Sequence, residues 1–193
     1  MVLLSVYGIF HTALRDMISS KFDRKQWQHI ASKAGLDEDD LLRAKDYDDT
    51  LSFRLFETAA EELDIPLERL KEKLGLFFIM ESAASIRATL TMGTRPGFER
   101  AILGFSTWIS TLNKSMPNFS LGRFPAARLG EGRYRMEYVS TRPGMAAFVR
   151  GMLFGVANLY EKSIRIETDN KATPATEYGA VFLISVEGVN ENA

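Results

Sequence analysis

The chain has 193 residues, of which 46% are hydrophobic and 25% are charged, and its formal net charge at pH 7 is −1. This length is enough for one domain with a buried core, and the near-zero charge gives no indication of a nucleic-acid-binding surface. The absence of cysteine excludes disulfides, thiolate metal sites and cysteine nucleophiles. Since no apolar run is long enough for a membrane span, we expect a cytoplasmic protein.

The N-terminal part carries the apolar periodicity of amphipathic helices. Between residues 3 and 17 apolar side chains recur every three to four positions, which predicts an opening helix. Asp23 is suited to the N-cap of a second helix, and Gly35 is suited to its end. The acidic residues within 37–49 lack the spacing of a calcium loop, so we expect a solvated stretch rather than a metal site.

Helical periodicity continues to about residue 114. Pro66 suits the first turn of a helix that Gly75 is expected to end. Residues 76–92 are apolar enough for a buried helix. After the breaker GTRPG, a longer helix is predicted from Phe98 to Lys114.

The last third changes to the two-residue period of strands. Two predicted strands, RFPAARL and RYRMEYVSTR, are joined at GEG, and SIRIET and YGAVFLISVE are two more. A helix, PGMAAFVRGMLFGVANLYEK, lies between the two pairs. We therefore predict an α+β fold in which a helical N-terminal lobe precedes an antiparallel four-stranded sheet with one inserted helix. Residues 1–193 form one domain, divided into a helical subdomain, 1–65, and a pocket and sheet subdomain, 66–193.

A polar motif stands at the end of the second predicted strand. Tyr138, Ser140 and Arg142 recur at every second position, which places them on one face of an extended chain. A guanidinium fork and two hydroxyl groups are suited to bind a carboxylate or a phosphate. The alternative is a strand whose polar face meets water, because a motif of three positions has low specificity.

The order of these segments resembles the haem-nitric oxide/oxygen binding (H-NOX) family nearly end to end. VYGIFHTALRDMI is similar to its opening helix, SKAGL to its early helix end and MEYVSTR to its Y-x-S-x-R motif. The resemblance implies an H-NOX fold, a sensory role and a signalling partner such as a histidine kinase or a cyclase. It also implies that Tyr138, Ser140 and Arg142 occupy the positions that hold the haem propionates.

The chain departs from that family at the iron ligand, which is a histidine on the long helix. Counted without gaps from the motif, this position falls on Ile109, whose side chain has no donor atom. The same count puts Leu121 and Gly122 where the family has a proline pair, and Ala147 where oxygen-binding relatives have a tyrosine. We therefore expect no metal ligand at Ile109 and no haem bound through the usual histidine.

Another residue could still ligate haem iron. His11 lies on the opening helix beside an apolar stripe, whereas His29 lies on a polar helix and is expected at the surface. Met116 and Tyr134 have side chains that bind iron in other proteins, but their spacing does not favour them. Haem held weakly by His11, or by its propionates alone, stays open as an alternative.

A pocket that once held a flat macrocycle should have an apolar lining. The candidates are Val6, Phe10, Phe77, Phe78, Met80, Phe105, Ile109, Leu112, Met145 and Phe148. Each of these residues is also suited to an ordinary core, because apolar stripes at helical spacing usually pack inside.

The combined pattern predicts a ligand-binding module rather than an enzyme. The sequence has no Gly-rich phosphate loop, no H-E-x-x-H and no G-x-S-x-G motif. An anion clamp beside an apolar pocket indicates an amphipathic carboxylate, such as a fatty acid, as the ligand, with occupancy moving the helix that carries Ile109. The alternatives are a haem-based nitric oxide sensor with atypical ligation and an interaction module with a filled core.

Overall fold

Helices occupy the first part of the chain, and the larger of its two sheets occupies the last part. The computed structural model describes residues 5–43, 45–82, 97–115, 121–140 and 142–188. Its helices are α1 (Gly8–Lys21), α2 (Arg24–Ala34), a short 3-10 helix (Glu38–Asp40), α3 (Asp49–Glu62), α4 (Leu67–Glu81), α5 (Phe98–Leu103), α6 (Phe105–Ser115) and α7 (Ala146–Leu159). Its strands are β1 (Ser5–Tyr7), β2 (Asp46–Asp48), β3 (Ala126–Gly130), β4 (Arg133–Tyr138), β5 (Ile164–Thr168) and β6 (Ala180–Val186).

The last four strands form an antiparallel sheet in the order β3-β4-β6-β5, and α7 is inserted between β4 and β5. This confirms the predicted α+β architecture and the β3–β4 hairpin. Alternate residues of β4 are buried, namely Tyr134, Met136 and Tyr138. Tyr138 pairs with Ala180 of β6, so the end of β4 is anchored in the sheet.

The prediction of a helix from residue 3 onward was wrong over residues 5–7. Ser5–Tyr7 is a strand that pairs antiparallel with β2, and α1 begins only at Gly8. A side chain at Gly8 would collide with the carbonyl oxygen of Leu42. The chain therefore changes from strand to helix at Gly8, where it contacts the segment that leads into β2. Helical periodicity does not show this long-range contact.

The caps of α2 are those that the sequence predicts. The carboxylate of Asp23 accepts a hydrogen bond from the backbone N–H of Gln26 at 2.7 Å. Gly35 ends the helix with a φ of 77°, in the left-handed region that glycine adopts without strain. Both signals are local, which is why the sequence was sufficient to find them.

Gly75 does not end a helix, contrary to the prediction. Helix α4 continues through it to Glu81, and α4 packs along α7 more extensively than any other described pair of helices. A Cβ atom at Gly75 would collide with the carbonyl oxygen of Phe148, and one at Gly151 would collide with that of Glu72. Both glycines therefore permit a close helix crossing.

The predicted helix from Phe98 to Lys114 is divided at Gly104 into α5 and α6. Gly104 is a poor helix former, and the chain turns there before it continues as α6. Of the predicted apolar helix over residues 76–92, the part up to Glu81 belongs to α4, and 83–92 lie outside the described residues.

One continuous apolar core connects the helices with the sheet. It includes Phe10 of α1, Leu55 of α3, Leu74 of α4, Val149 of α7 and Phe182 of β6. The division of the chain at residue 65 stays a prediction. Among the helices of the described segments, none has the length and apolar character that a membrane crossing needs.

Candidate functional site

A small cavity lies between the N-terminal helices and the end of β4. Its volume is about 30 Å³, and residues of α1, α3, α4 and α7 contribute to its wall together with the chain around β4. The lining residues are Phe10, Ser52, Phe53, Phe56, Lys71, Leu74, Leu121, Tyr138, Arg142, Gly144, Met145 and Phe148. The wall is thus mainly apolar, and its polar groups are the phenol of Tyr138, the hydroxyl of Ser52 and the cationic side chains of Lys71 and Arg142.

The cavity is small. A volume of about 30 Å³ holds about one water molecule, whereas ligand pockets measure roughly 300–1,000 Å³. Phe10, Phe78 and Phe148 pack together beside it, with ring centroids 5.2–5.8 Å apart. Phe53 is 38% exposed and Met145 is half-buried, so the wall includes side chains with room to change rotamer.

Tyr138 presents its phenol to the cavity from the last position of β4. It is 1% exposed, and its ring stacks on Phe124 at a centroid distance of 5.3 Å. Burial raises the pKa of Tyr138, while hydrogen bonding to Ser140 and the charge of Arg142 act in the opposite direction. The phenol is therefore protonated at neutral pH and available as a hydrogen-bond donor.

Ser140 organises the turn that carries Arg142, and it is not among the residues that line the cavity. Its Oγ accepts a hydrogen bond from the backbone N–H of Arg142 at 3.0 Å, and its own N–H donates to Thr176 Oγ1 at 3.0 Å. Strand β4 ends at Tyr138 and is followed by a single bridge between Val139 and Arg123, so the strand alternation expected across the motif does not extend to Arg142. A turn brings Arg142 to the cavity instead.

The part of the cavity wall formed by Tyr138 and Arg142 is its polar end, and two further charged side chains lie near it. Burial raises the pKa of Asp49, the first residue of α3, while the charge of Arg142 lowers it. The Oδ1 atom of Asp49 is buried and has no hydrogen-bond partner among the described residues. Lys71 of α4 is 9% exposed, and its Nζ lies 2.9 Å from Glu68 Oε1.

The remaining residues of the predicted lining lie elsewhere. Phe105 and Ile109 are each 1% exposed in the packed core, and neither lines this cavity. Phe77 and Phe78 contribute to a separate cavity of about 70 Å³. Leu112 is half-buried, Met80 is 41% exposed, and the side chain of Val6 lies outside the described residues. Among the predicted lining residues whose side chains are described, Phe10, Met145 and Phe148 reach the cavity.

Sequence reasoning did not find Lys71 or the contribution of α3. Lys71 falls on the buried stripe of α4, seven residues before Phe78 and three before Leu74, where an apolar side chain is expected. A lysine on such a stripe is the signal that could have identified it. Ser52, Phe53 and Phe56 gave no comparable signal, because their role depends on how α3 packs.

The histidines do not present a ready iron ligand to this cavity. His11 is buried, its Nε2 is 2.9 Å from Ser52 Oγ, and it is not a lining residue. His29 is on the surface, where its Nε2 lies 3.1 Å from Glu62 Oε2. Ile109, at the position that the resemblance assigns to the ligand, has no donor atom.

The other two candidate ligands are a tyrosine and a methionine. The hydroxyl of Tyr134 donates to Glu99 at 3.2 Å, and Met116 lies outside the described residues. In the part of the chain that the structure describes, no three His, Asp or Glu side chains converge as a metal-binding group. Arg142 and the hydroxyl groups at the cavity therefore suit a carboxylate, such as a haem propionate, and neither histidine lines the cavity.

Comparison with known proteins matches most of this chain to one family. A family model described as haem-NO-binding matches residues 7–168. An H-NOX protein from S. oneidensis in the Fe(II)NO ligation state is 22% identical, with a TM-score of 0.77 over 94% of this chain and 99% of that chain. A mutant of T. tengcongensis H-NOX is 15% identical, with a TM-score of 0.76 over 94% of this chain and 98% of that chain.

A third similar structure is an H-NOX domain from Shewanella oneidensis in which a histidine is replaced by glycine, in the Fe(II)CO ligation state. It is 21% identical, with a TM-score of 0.77 over 95% of this chain and 99% of that chain. No curated protein sequence matched the chain. The structural similarities, all at low identity, establish the fold.

Proposed function

Since this chain belongs to the haem-NO-binding (H-NOX) family, we propose that it is a sensory module whose cavity binds an amphipathic carboxylate, such as a fatty acid, without iron-ligated haem. The observation that carries the proposal is the pairing of Tyr138 and Arg142 at one end of a mainly apolar cavity. The sensory role comes with the family. The carboxylate and the absence of ordinary haem ligation are inferred from the side chains of this chain.

The polar and apolar parts of the cavity make different contributions to the binding free energy. Arg142 forms charge-assisted hydrogen bonds to the carboxylate, and the protonated phenol of Tyr138 donates one more. A hydrogen bond to a charged group contributes about 1.5–3 kcal/mol, and each buried methylene contributes about 0.8 kcal/mol. The polar end thus orients the ligand, while the hydrocarbon chain supplies most of the affinity.

Binding requires the small cavity to expand. Its wall is shared by Phe10 of α1, Phe56 of α3, Leu74 of α4 and Phe148 of α7. A hydrocarbon chain between these side chains separates α1 and α3 from the α4–α7 pair. Ile109 is not part of this wall, so the movement involves these helices rather than the helix that carries Ile109. A signalling partner, such as a histidine kinase or a cyclase, reads the change in packing.

Two measurements test the proposal. The first is identification by mass spectrometry of small molecules extracted from the purified protein, where we expect fatty acids at a stoichiometry near one. The second is thermal denaturation with added dodecanoate, where binding to the native state raises the midpoint with the logarithm of the ligand concentration above the dissociation constant. A protein that contains no lipid and is not stabilised by dodecanoate contradicts the proposal.

Haem with atypical ligation is the second candidate, and the family match favours it. The Shewanella oneidensis domain in which a histidine is replaced by glycine is in an Fe(II)CO ligation state. This raises the question whether the present chain binds haem although Ile109 stands at the ligand position. An ultraviolet–visible spectrum of protein expressed with a supply of haem separates the two candidates. A stoichiometric Soret band that disappears in His11→Ala supports this candidate against ours.

An interaction module with a filled core is the third candidate, favoured by the cavity volume of about 30 Å³. In that case the aromatic side chains have replaced the ligand permanently. Native mass spectrometry of the purified protein distinguishes it, because a filled core gives only the mass of the chain.

A further inference from the structure

We propose that Lys71 is a second cation for the ligand carboxylate and makes the cavity selective for an anion over a neutral lipid of the same length. This inference rests on the proposed function. It goes beyond the Tyr138, Ser140 and Arg142 motif, because Lys71 belongs to α4 and comes from a different part of the wall.

The position of Lys71 relative to the clamp supports the inference. Lys71 and Arg142 both line the cavity. A Cβ atom built on Gly144 would lie 3.0 Å from Lys71 Nζ, so the ammonium group reaches the loop two residues beyond Arg142. Gly144 has a φ of 67°, and its missing side chain leaves room for this approach. The two cations therefore approach the polar end from α4 and from the loop after β4.

The surroundings of Lys71 leave it suited to a ligand anion. Its side chain is 11% exposed, while that of its partner Glu68 is 63% exposed. Burial of an ammonium group is costly unless hydrogen-bond partners replace water, and an exposed carboxylate compensates poorly because solvent screens it. An ammonium group has three donors, so Lys71 can keep Glu68 and also bind a carboxylate in the cavity.

The test compares one acid with its neutral analogue. Binding of dodecanoate and of 1-dodecanol is measured by calorimetry for the unmodified protein, Lys71→Met, Lys71→Arg and Lys73→Met. Methionine keeps the length of the apolar stem and removes the charge, while arginine restores a cation. Lys73 is exposed on the same helix and controls for the change in net charge.

We expect Lys71→Met to weaken dodecanoate binding about 10- to 30-fold, the lower part of the range for one charged hydrogen bond, with 1-dodecanol affinity unchanged. Lys71→Arg should restore most of the preference for the acid, and Lys73→Met should keep all of it. Equal losses for acid and alcohol indicate a structural role and overturn the inference, as does an unchanged acid affinity.

The outcomes for the two proposals are distinct. If the unmodified protein prefers the acid, and Arg142→Ala abolishes that preference while Lys71→Met does not, only the inference about Lys71 fails. If the unmodified protein binds neither compound, the proposed function fails and the inference fails with it.

Discussion

Nε2 of His11 lies 2.9 Å from the hydroxyl oxygen of Ser52, and this contact ties α1 to α3 beside the cavity. Both residues are fully buried. The hydroxyl of Ser52 donates to the backbone carbonyl of Asp48 at 3.0 Å, so its oxygen accepts from His11 and the proton lies on Nε2. Nδ1 has no hydrogen-bond partner among the described residues, which suits a neutral imidazole.

The first prediction concerns the pH dependence of stability. Burial lowers the pKa of His11 from 6.5 to about 4. Between these values the unfolded chain takes up a proton that the native state does not, so the unfolding free energy falls as the pH is lowered from about 6.5 to about 4. The expected loss from this group is roughly 3 kcal/mol.

Urea denaturation of His11→Gln at several pH values checks this prediction. Glutamine keeps a donor toward Ser52 and does not titrate. The unfolding free energy of the variant should therefore fall less between pH 6.5 and pH 4, by roughly the 3 kcal/mol assigned to His11. Measurement at pH 8, where His11 is neutral in both states, serves as the control and reports only the difference in packing. Parallel curves for the two proteins between pH 7 and pH 4 contradict the prediction.

The second prediction concerns Arg142. Arg142→Ala should weaken dodecanoate binding by about 2 kcal/mol, or about thirtyfold, because a charged hydrogen bond to the carboxylate is lost. Calorimetry measures the effect, with Arg165→Ala as the matched control. Arg165 is exposed on β5 and pairs with Glu167, so its removal should leave the affinity unchanged. Equal affinities for Arg142→Ala and the unmodified protein remove Arg142 from the site.

The third prediction concerns Asp49. Its carboxylate lies close enough to Arg142 for the guanidinium to lower its pKa, and it therefore repels an incoming carboxylate. Asp49→Asn should tighten dodecanoate binding about two- to fivefold, since one negative charge leaves the polar end. Asp46→Asn makes the same change in net charge at an exposed residue of β2 and should have little effect. Weaker binding in Asp49→Asn means that Asp49 positions Arg142 instead of opposing the ligand.

The fourth prediction concerns the crossing of α4 and α7. Gly75→Ala gains up to about 1 kcal/mol of helix propensity but forces Cβ against the carbonyl oxygen of Phe148. That oxygen belongs to a buried helix and cannot move aside, so the unfolding free energy should fall by about 1–3 kcal/mol. Gly130→Ala is the control, because a Cβ atom there meets no atom of the described residues within 4 Å. Urea denaturation that shows equal stability for the two variants would exclude a tight crossing.

Local signals explain which elements could be predicted. The cap at Asp23, the stop at Gly35 and the β3–β4 hairpin depend on neighbouring residues, and all three were found from the sequence. Contacts with distant segments explain why Ser5–Tyr7 is a strand and why Gly75 lies at a helix crossing. Neither outcome is encoded in the spacing of nearby side chains.

The same distinction applies to the candidate site. A strand pattern pointed to Tyr138 and Arg142, and both line the cavity, although a turn held by Ser140 brings Arg142 there. The apolar stripes did not distinguish Phe148, in the cavity wall, from Phe105, in the core. Apolar periodicity identifies the buried face of a helix, and it does not identify what that face meets.

By itself the sequence determined the periods of most of its helices and strands, the caps of α2 and the absence of cysteine chemistry, and it limited the histidines to two. These properties depend on composition and on neighbours along the chain. Only the tertiary structure decided that Lys71 reaches the cavity beside the Arg142 loop, that His11 is bound to Ser52, and that about 30 Å³ remains open. The physical reason is that a cavity forms where several elements pack together. The sequence of one helix or strand shows which of its faces is buried, and it does not show which other elements that face contacts.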